Sequence, residues 1–149
     1  MFLRIKKQKQ SHDRTKYSFI LVENHREDGK VKQKVVKYLT SWVNEYVCHT
    51  ANKVEEKRDA AISRLSMWLN IYHDLEEVIL DADKKIEILE KIANIVSFPT
   101  ESDLHAWIMS RWRTSALFDH RHKDQVLERI DDVTLRFNEM SSAYQGHKA

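Results

Sequence analysis

Glycine and proline, the residues that most often interrupt helices, are almost absent from this 149-residue chain, which contains two glycines and one proline. Gly29 is the last glycine before Gly146, and the proline is Pro99. Little therefore interrupts helix formation over most of the chain after residue 40. This distribution predicts an α+β protein in which a small sheet precedes a helical bundle.

The first 40 residues carry the alternation of β-strands. Three segments, FLRIKK, TKYSFILV and KVKQKVVKYL, have a period near two and many β-branched or aromatic residues. In the second segment Tyr17, Phe19 and Leu21 share one face, and Ile20 and Val22 share the other. The pattern predicts an antiparallel sheet of about three strands.

One connection in this sheet is predicted by its turn chemistry. Glu27-Asp28-Gly29-Lys30 places Asp-Gly between two β-like runs, and Asp-Gly supplies the positive φ angles of a tight hairpin. A second connection is expected within residues 8–16. We therefore predict a basic sheet and hairpin segment over residues 1–40 and a helical body over residues 41–149.

Helical periodicity dominates the second part of the chain and predicts four to five helices. A short helix is expected at roughly Ser41 to Cys48, and a long apolar stripe runs from Val54 to Val96. Asp81 and Asp83 favour a break within that stripe, because aspartate caps helices.

Two more helices are expected after Pro99. Thr100 and Asp103 have the spacing of a capping box, which starts a helix that reaches about Phe118. Residues 119–124 are predicted to form a polar loop, and a last helix is predicted to end at Gly146.

Charge is unevenly distributed although the net charge is only +2. Residues 1–40 hold eleven Lys/Arg and four Asp/Glu, a local charge of +7, so the remainder carries −5. An anionic partner would bind such a basic end. The competing interpretation is that exposed strands carry lysines for solubility and to protect their edges.

Composition indicates a cytoplasmic protein. The single cysteine, Cys48, excludes an internal disulfide framework, and no apolar run is long enough to span a bilayer. The amino terminus also lacks the apolar stretch of a signal peptide.

Catalytic, metal and cofactor sites are not indicated. His120 and His122 are two residues apart, a spacing that aims both rings one way only on a strand, so we expect a solvated loop and no metal role. Two glycines cannot build a phosphate-binding loop. Trp107 and Arg111 are one helical turn apart and can form a cation–π contact, whereas Trp112 and Arg113 are the better surface candidates.

Residues 17–39 resemble the N-terminal β-hairpin region of IS4/IS1634-like insertion-sequence transposases. That family shows a tyrosine-bearing strand, a Val-Glu segment ending in Arg, a glycine turn and a basic run ending in Val-Val-x-x-Leu. The matching residues here are Tyr17, Val22, Glu23, Arg26, Gly29, Lys30, Lys32, Gln33, Lys34, Val35, Val36 and Leu39. The family usually continues with glycine where this chain has Thr40.

The resemblance implies a DNA-associated ribbon. No counterpart of the family's ribonuclease-H-like catalytic domain is recognisable after residue 42, so the resemblance argues against transposition chemistry. It fits a small DNA-binding protein of a phage, mobile element or bacterium.

The leading hypothesis is that this protein binds nucleic acid, with double-stranded DNA as the expected ligand and no membrane partner. The expected contact residues are Arg26, Lys30, Lys32, Gln33, Lys34, Lys37 and Arg113, with the hairpin cations on phosphates and Gln33 on a base edge. Two alternatives remain. The acidic helical body suits a protein-interaction module, such as an inhibitor or adaptor of a nucleoprotein complex, or a homodimer. Glu55, Glu56, Asp81 and Asp83 offer the carboxylates of a small metal-dependent nuclease, but in helical surroundings.

Overall fold

A computed structural model describes residues 1–10, 14–44, 53–115 and 120–148. Within these residues the order of elements is β1 (Phe2–Lys9), β2 (Thr15–Glu27), β3 (Lys30–Tyr38), β4 (Trp42–Asn44), α1 (Lys53–Val78), α2 (Ala82–Ala93), α3 (Glu101–Ser115) and α4 (His120–Lys148). The predicted α+β class is confirmed, as are the antiparallel sheet and the helices that follow it.

The sheet is built around β2, the longest strand. β1 pairs antiparallel with one edge of β2, in a register that runs from Phe2 opposite Val22 to Lys9 opposite Thr15. β3 pairs with the other edge, and the short strand β4 continues that side with Trp42 opposite Tyr17. β2 is therefore flanked on both sides over much of its length.

The hairpin between β2 and β3 has the predicted two-residue turn. Asp28 has a φ of 53° and Gly29 a φ of 77°, so both central residues adopt the left-handed conformation that tight hairpins need. A β-bulge interrupts the pairing nearer the core, because Leu21 opposes Lys37 whereas Val22 opposes Val35. Val36 is thus the extra residue on β3.

The chain divides into two compact units. The first comprises residues 1–50 and 73–96, and the second comprises residues 51–72 and 97–149. The first unit buries side chains from the sheet and from the helical segments that follow residue 72: Leu3, Phe19, Ile20, Leu21, Val22, Leu39, Leu75, Ile79, Ile88, Leu89, Ile92 and Val96.

The second unit has its own core, formed by residues of α1, α3 and α4: Ala61, Leu65, Met67, Trp68, Ile71, Leu104, Trp107, Ile130, Val133, Phe137, Met140 and Tyr144. Trp68 donates its indole N–H to the carbonyl of Ser97 at 3.0 Å. Phe98 packs edge-on against Trp68 and stacks on Tyr144 at a centroid distance of 4.3 Å. These aromatic contacts tie the segment before α3 to both neighbouring helices.

Both predicted helix caps are confirmed. Asp81 is the N-cap of α2, and its Oδ1 accepts from the backbone N–H of Asp83 at 3.0 Å. At the start of α3 the Thr100 N–H donates to Asp103 Oδ2 at 3.0 Å, and the Asp103 N–H donates to Thr100 Oγ1 at 3.3 Å. Asp103 is buried and also receives two bonds from Arg64, at 2.7 and 3.0 Å.

Three local predictions are wrong. Residues 42–44 form β4 instead of the start of a helix, because Trp42 and Val43 are good strand formers and β2 offers them a free edge. The rest of that predicted helix, residues 45–48, lies outside the described residues.

The other two errors concern α4. Residues 120–124, predicted as a loop, belong to this helix, since a polar segment without glycine or proline is compatible with an exposed helix. Gly146 lies within α4, which continues to Lys148.

Candidate nucleic-acid interface

The β2–β3 hairpin continues past the end of β1 as a two-stranded ribbon. β1 reaches Val22, so residues 23–27 and 30–34 pair only with each other among the described strands. All ten of these side chains are exposed. We call residues 23–34 the ribbon; both of its faces are open to solvent.

Three of the expected contact residues form one row on the ribbon. Lys30, Lys32 and Lys34 lie on the same face because residues two apart on a strand point the same way. Their cross-strand partners are Glu27, His25 and Glu23, and directly opposed side chains share a face. We call this the lysine row.

The lysine row is therefore accompanied by carboxylates. Lys32 Nζ lies 3.4 Å from Glu27 Oε2, and His25 Nε2 lies 3.7 Å from the same oxygen. Exposed pairs of this kind contribute less than about 1 kcal/mol, so they do not lock the lysines. They do lower the positive potential that this face presents to an anion.

Arg26 and Gln33 lie on the opposite face of the ribbon, with Asn24 and Val31. Gln33 Oε1 accepts a hydrogen bond from Arg4 Nη1 at 3.2 Å. Because Arg4 is on β1 and Gln33 on β3, this bond spans β2. It links the ribbon to the sheet on the face away from the lysine row.

Lys37 is occupied by the protein's own carboxylates. Its Nζ lies 3.0 Å from Glu77 Oε2 and 3.3 Å from Asp74 Oδ1, both on α1. The hydrogen bond to Glu77, helped by Asp74, raises the pKa of Lys37, and the same bond lowers the pKa of Glu77. This lysine thus joins the sheet to a helix within the first unit.

Arg113 belongs to the second unit and is exposed near the end of α3. Two residues earlier, the guanidinium carbon of Arg111 lies 5.2 Å from the ring centroid of the buried Trp107, so the expected cation–π contact is confirmed. Trp112 is partly exposed beside them.

A search of the described residues finds no group of three or more His, Cys, Asp or Glu side chains able to hold a metal ion. The side chains of His120 and His122, as well as Glu55 and Glu56, lie outside the described part of the chain. None of the described helices combines the length and apolarity that a membrane-spanning segment requires.

Sequence reasoning overlooked three basic residues on the face that carries Arg26. Arg4 and Lys6 on β1 and Lys16 on β2 share that face by register. Their alternation with apolar and neutral polar residues was a usable signal. Whether these three residues share a face with Arg26 depends on how the strands pair, and composition does not reveal that pairing.

Part of this chain matches a known protein family. No curated protein and no solved structure is significantly similar to this chain. Residues 3–64 match the family model described as IS1634 family transposase, N-terminal domain, and this match covers the sheet from Leu3 onward and the first part of α1. The resemblance found at residues 17–39 is thereby confirmed and extended: residues 3–64 carry the features of an IS1634 family transposase N-terminal domain.

Proposed function

We propose that this protein binds double-stranded DNA through its N-terminal sheet. The observation that carries the proposal is the ribbon, exposed on both faces, within a segment that matches a transposase N-terminal domain. Proteins use two-stranded ribbons of this kind in the major groove of B-form DNA, whose width accepts them. The two strands of the ribbon would then run along the groove, with their cross-strand pairs of residues following one another along it.

The ribbon offers four cations for phosphate contacts, Arg26 on one face and Lys30, Lys32 and Lys34 on the other. Each is exposed, and in the described part of the chain neither Arg26, Lys30 nor Lys34 forms an ion pair. Gln33 is the ribbon side chain suited to a base edge, because its amide both donates and accepts.

Lys37 and Arg113 are the other two cations expected to contact DNA, and each would need a different change or arrangement to do so. Lys37 would have to exchange Asp74 and Glu77 for a phosphate, which makes it the weaker contributor. Arg113 is accessible on α3 and would contact the DNA backbone only if the second unit also reaches it.

Salt dependence of binding tests the proposal. Four phosphate contacts give a slope of about −3.6 in log K against log salt, so affinity should fall roughly 100-fold between 50 and 200 mM salt. Fluorescence anisotropy with a labelled duplex, measured at several salt concentrations, would give this slope. An affinity that does not change with salt, or no binding at 50 mM, would exclude the proposal.

An RNA duplex of the same sequence is the matched control. A-form RNA has a deep, narrow major groove that protein elements do not enter. A ribbon that uses the B-form major groove should therefore bind the DNA duplex more tightly than the RNA duplex. Equal affinity for both would indicate contact with the phosphates alone.

A further inference from the structure

We infer that the DNA-contacting surface is the face of the sheet opposite the lysine row. This inference rests on the proposed function and says which side of the sheet the DNA occupies. The ribbon can lay only one face on the floor of a groove, so the two faces are true alternatives. The strand register determines the charges that each one carries.

The inferred surface contains no carboxylate among the described strand residues. Its members follow from the pairings of β1, β3 and β4 with β2, since opposed residues share a face. They are Phe2, Arg4, Lys6, Gln8, Lys16, Ser18, Ile20, Val22, Asn24, Arg26, Val31, Gln33, Val35, Tyr38 and Val43. We call this set the acid-free face.

The opposite face has mixed charge and a structural role. It bears Glu23 and Glu27 among the lysine row, with Asp28 in the adjoining turn. Away from the ribbon it carries the buried side chains of Leu3 and Phe19, and on β3 it carries Lys37, which α1 holds through Asp74 and Glu77. Both faces are buried near the middle of β2, since Ile20 and Val22 of the acid-free face are core residues as well, so the two faces differ in charge: only the face of the lysine row is partly neutralised by carboxylates.

The cations of the acid-free face lie at regularly spaced positions along β2. Lys16 is on β2 itself, Lys6 is opposite Ser18 and Arg4 is opposite Ile20, so they recur every two residues, roughly 7 Å apart. Arg26 is ten residues beyond Lys16, about 33 Å along an extended strand, and the buried Ile20 and Val22 lie between these two cations. This length is close to the rise of one turn of B-form DNA, about 34 Å.

The neutral members of the acid-free face complement these cations. Asn24 and Gln33 face each other on the ribbon and offer amide donors and acceptors for base edges. Tyr38, 69% exposed and opposite Ile20, adds a phenol hydroxyl that can donate to a phosphate. The exposed Arg4–Gln33 hydrogen bond brings a cation next to one of these amides.

Two triple variants with the same loss of charge test the inference. K6Q/K16Q/R26Q removes three cations from the acid-free face, none of which forms an ion pair in the described part of the chain. K30Q/K32Q/K34Q removes three cations from the lysine row. Both variants and the unaltered full chain are titrated with the same DNA duplex over a series of salt concentrations, after thermal unfolding has confirmed that each is folded.

The expected result is asymmetric. K6Q/K16Q/R26Q should lose at least 30-fold in affinity at 100 mM salt and reduce the salt slope by about 2.7, which corresponds to three phosphate contacts. K30Q/K32Q/K34Q should lose less than 5-fold and keep its slope. The charge-preserving variant K6R/K16R/R26K should bind like the unaltered protein, which separates charge from folding.

The possible failures are distinguishable. A larger loss in K30Q/K32Q/K34Q, or equal losses in the two variants, would overturn the inference while the DNA-binding proposal stands. If the unaltered protein shows no salt-dependent binding to the duplex, the proposed function itself is wrong. A triple variant that unfolds is replaced by the single variants K6Q and R26Q, measured against K30Q and K34Q.

Discussion

The surroundings of Lys37 determine which interactions its side chain makes. It is one of four lysines on β3, yet its ammonium lies between Asp74 and Glu77 of α1 and its side chain is only 30% exposed. The bond to Glu77 raises the pKa of Lys37 and lowers the pKa of Glu77. The stabilisation from Glu77 is therefore present at neutral pH and is lost as the pH falls through the lowered folded-state pKa. The stabilisation that arises from the raised pKa of Lys37 is lost only as the pH rises through that pKa.

Substituting Lys37→Met should raise the pKa of Glu77 towards its ordinary value, because its principal hydrogen-bond donor is removed. The carboxyl chemical shift of Glu77, followed by NMR from pH 7 to pH 2, would report the change. Lys32→Met, at a lysine that pairs with a different carboxylate, is the control and should leave Glu77 unaltered. An unchanged Glu77 titration in Lys37→Met would show that the ion pair is not maintained in solution.

At the scale of elements, the hairpin depends on its turn and the helices depend on their caps. Gly29 has a φ of 77°, and a Cβ added there would meet no atom within 4 Å; Gly146, in the last turns of α4, is equally unobstructed. The two glycines thus differ in backbone conformation rather than in available space. This makes them a matched pair for measuring what the left-handed turn contributes.

Gly29→Ala should lower the free energy of unfolding by about 1 kcal/mol, because a side chain disfavours positive φ. Gly146→Ala should leave stability unchanged or raise it by up to about 1 kcal/mol, because alanine favours helix. Urea unfolding of both variants gives the comparison. Equal effects of the same sign would mean that the turn does not impose its conformation on residue 29.

The elements that sequence alone could identify are those set by local chemistry. Alternation revealed β1 to β3, Asp-Gly revealed the turn, and Thr100 with Asp103 revealed the start of α3. β4 was missed because its strand conformation depends on pairing with β2, about 27 residues earlier in the chain. The contact residues were grouped by proximity in sequence, whereas the register places Arg26 with Arg4 and Lys6, and puts Glu23 and Glu27 among the lysines.

At the scale of the whole molecule, the boundary of the family match differs from the boundary of the folded unit. The match covers residues 3–64, whereas the first unit contains residues 1–50 and 73–96. Half of the buried apolar residues described in that unit, from Leu75 to Val96, are contributed by its second segment. The sheet therefore needs helical residues that lie beyond the matched region.

A fragment of residues 1–64 should fail to fold cooperatively, since it lacks Leu75, Ile88, Leu89 and Ile92 and leaves the sheet without its core partners. A fragment of residues 1–96 should keep the sheet. Circular dichroism and amide hydrogen exchange of Phe19 and Leu21 would distinguish the two. Protection of these amides in the shorter fragment would show that the matched region is autonomous.

The bulge at Val36 determines which face of the sheet Lys37 occupies relative to the β3 residues of the ribbon. Strict alternation would put Lys37 on the side of Val31 and Gln33, but the extra residue moves it to the side of Lys34. Without the bulge, Val36 would oppose Leu21 and Lys37 would oppose Ile20, on the face away from Asp74 and Glu77. The one extra residue therefore brings a lysine within reach of two carboxylates on α1, while the ribbon keeps the register that its turn imposes.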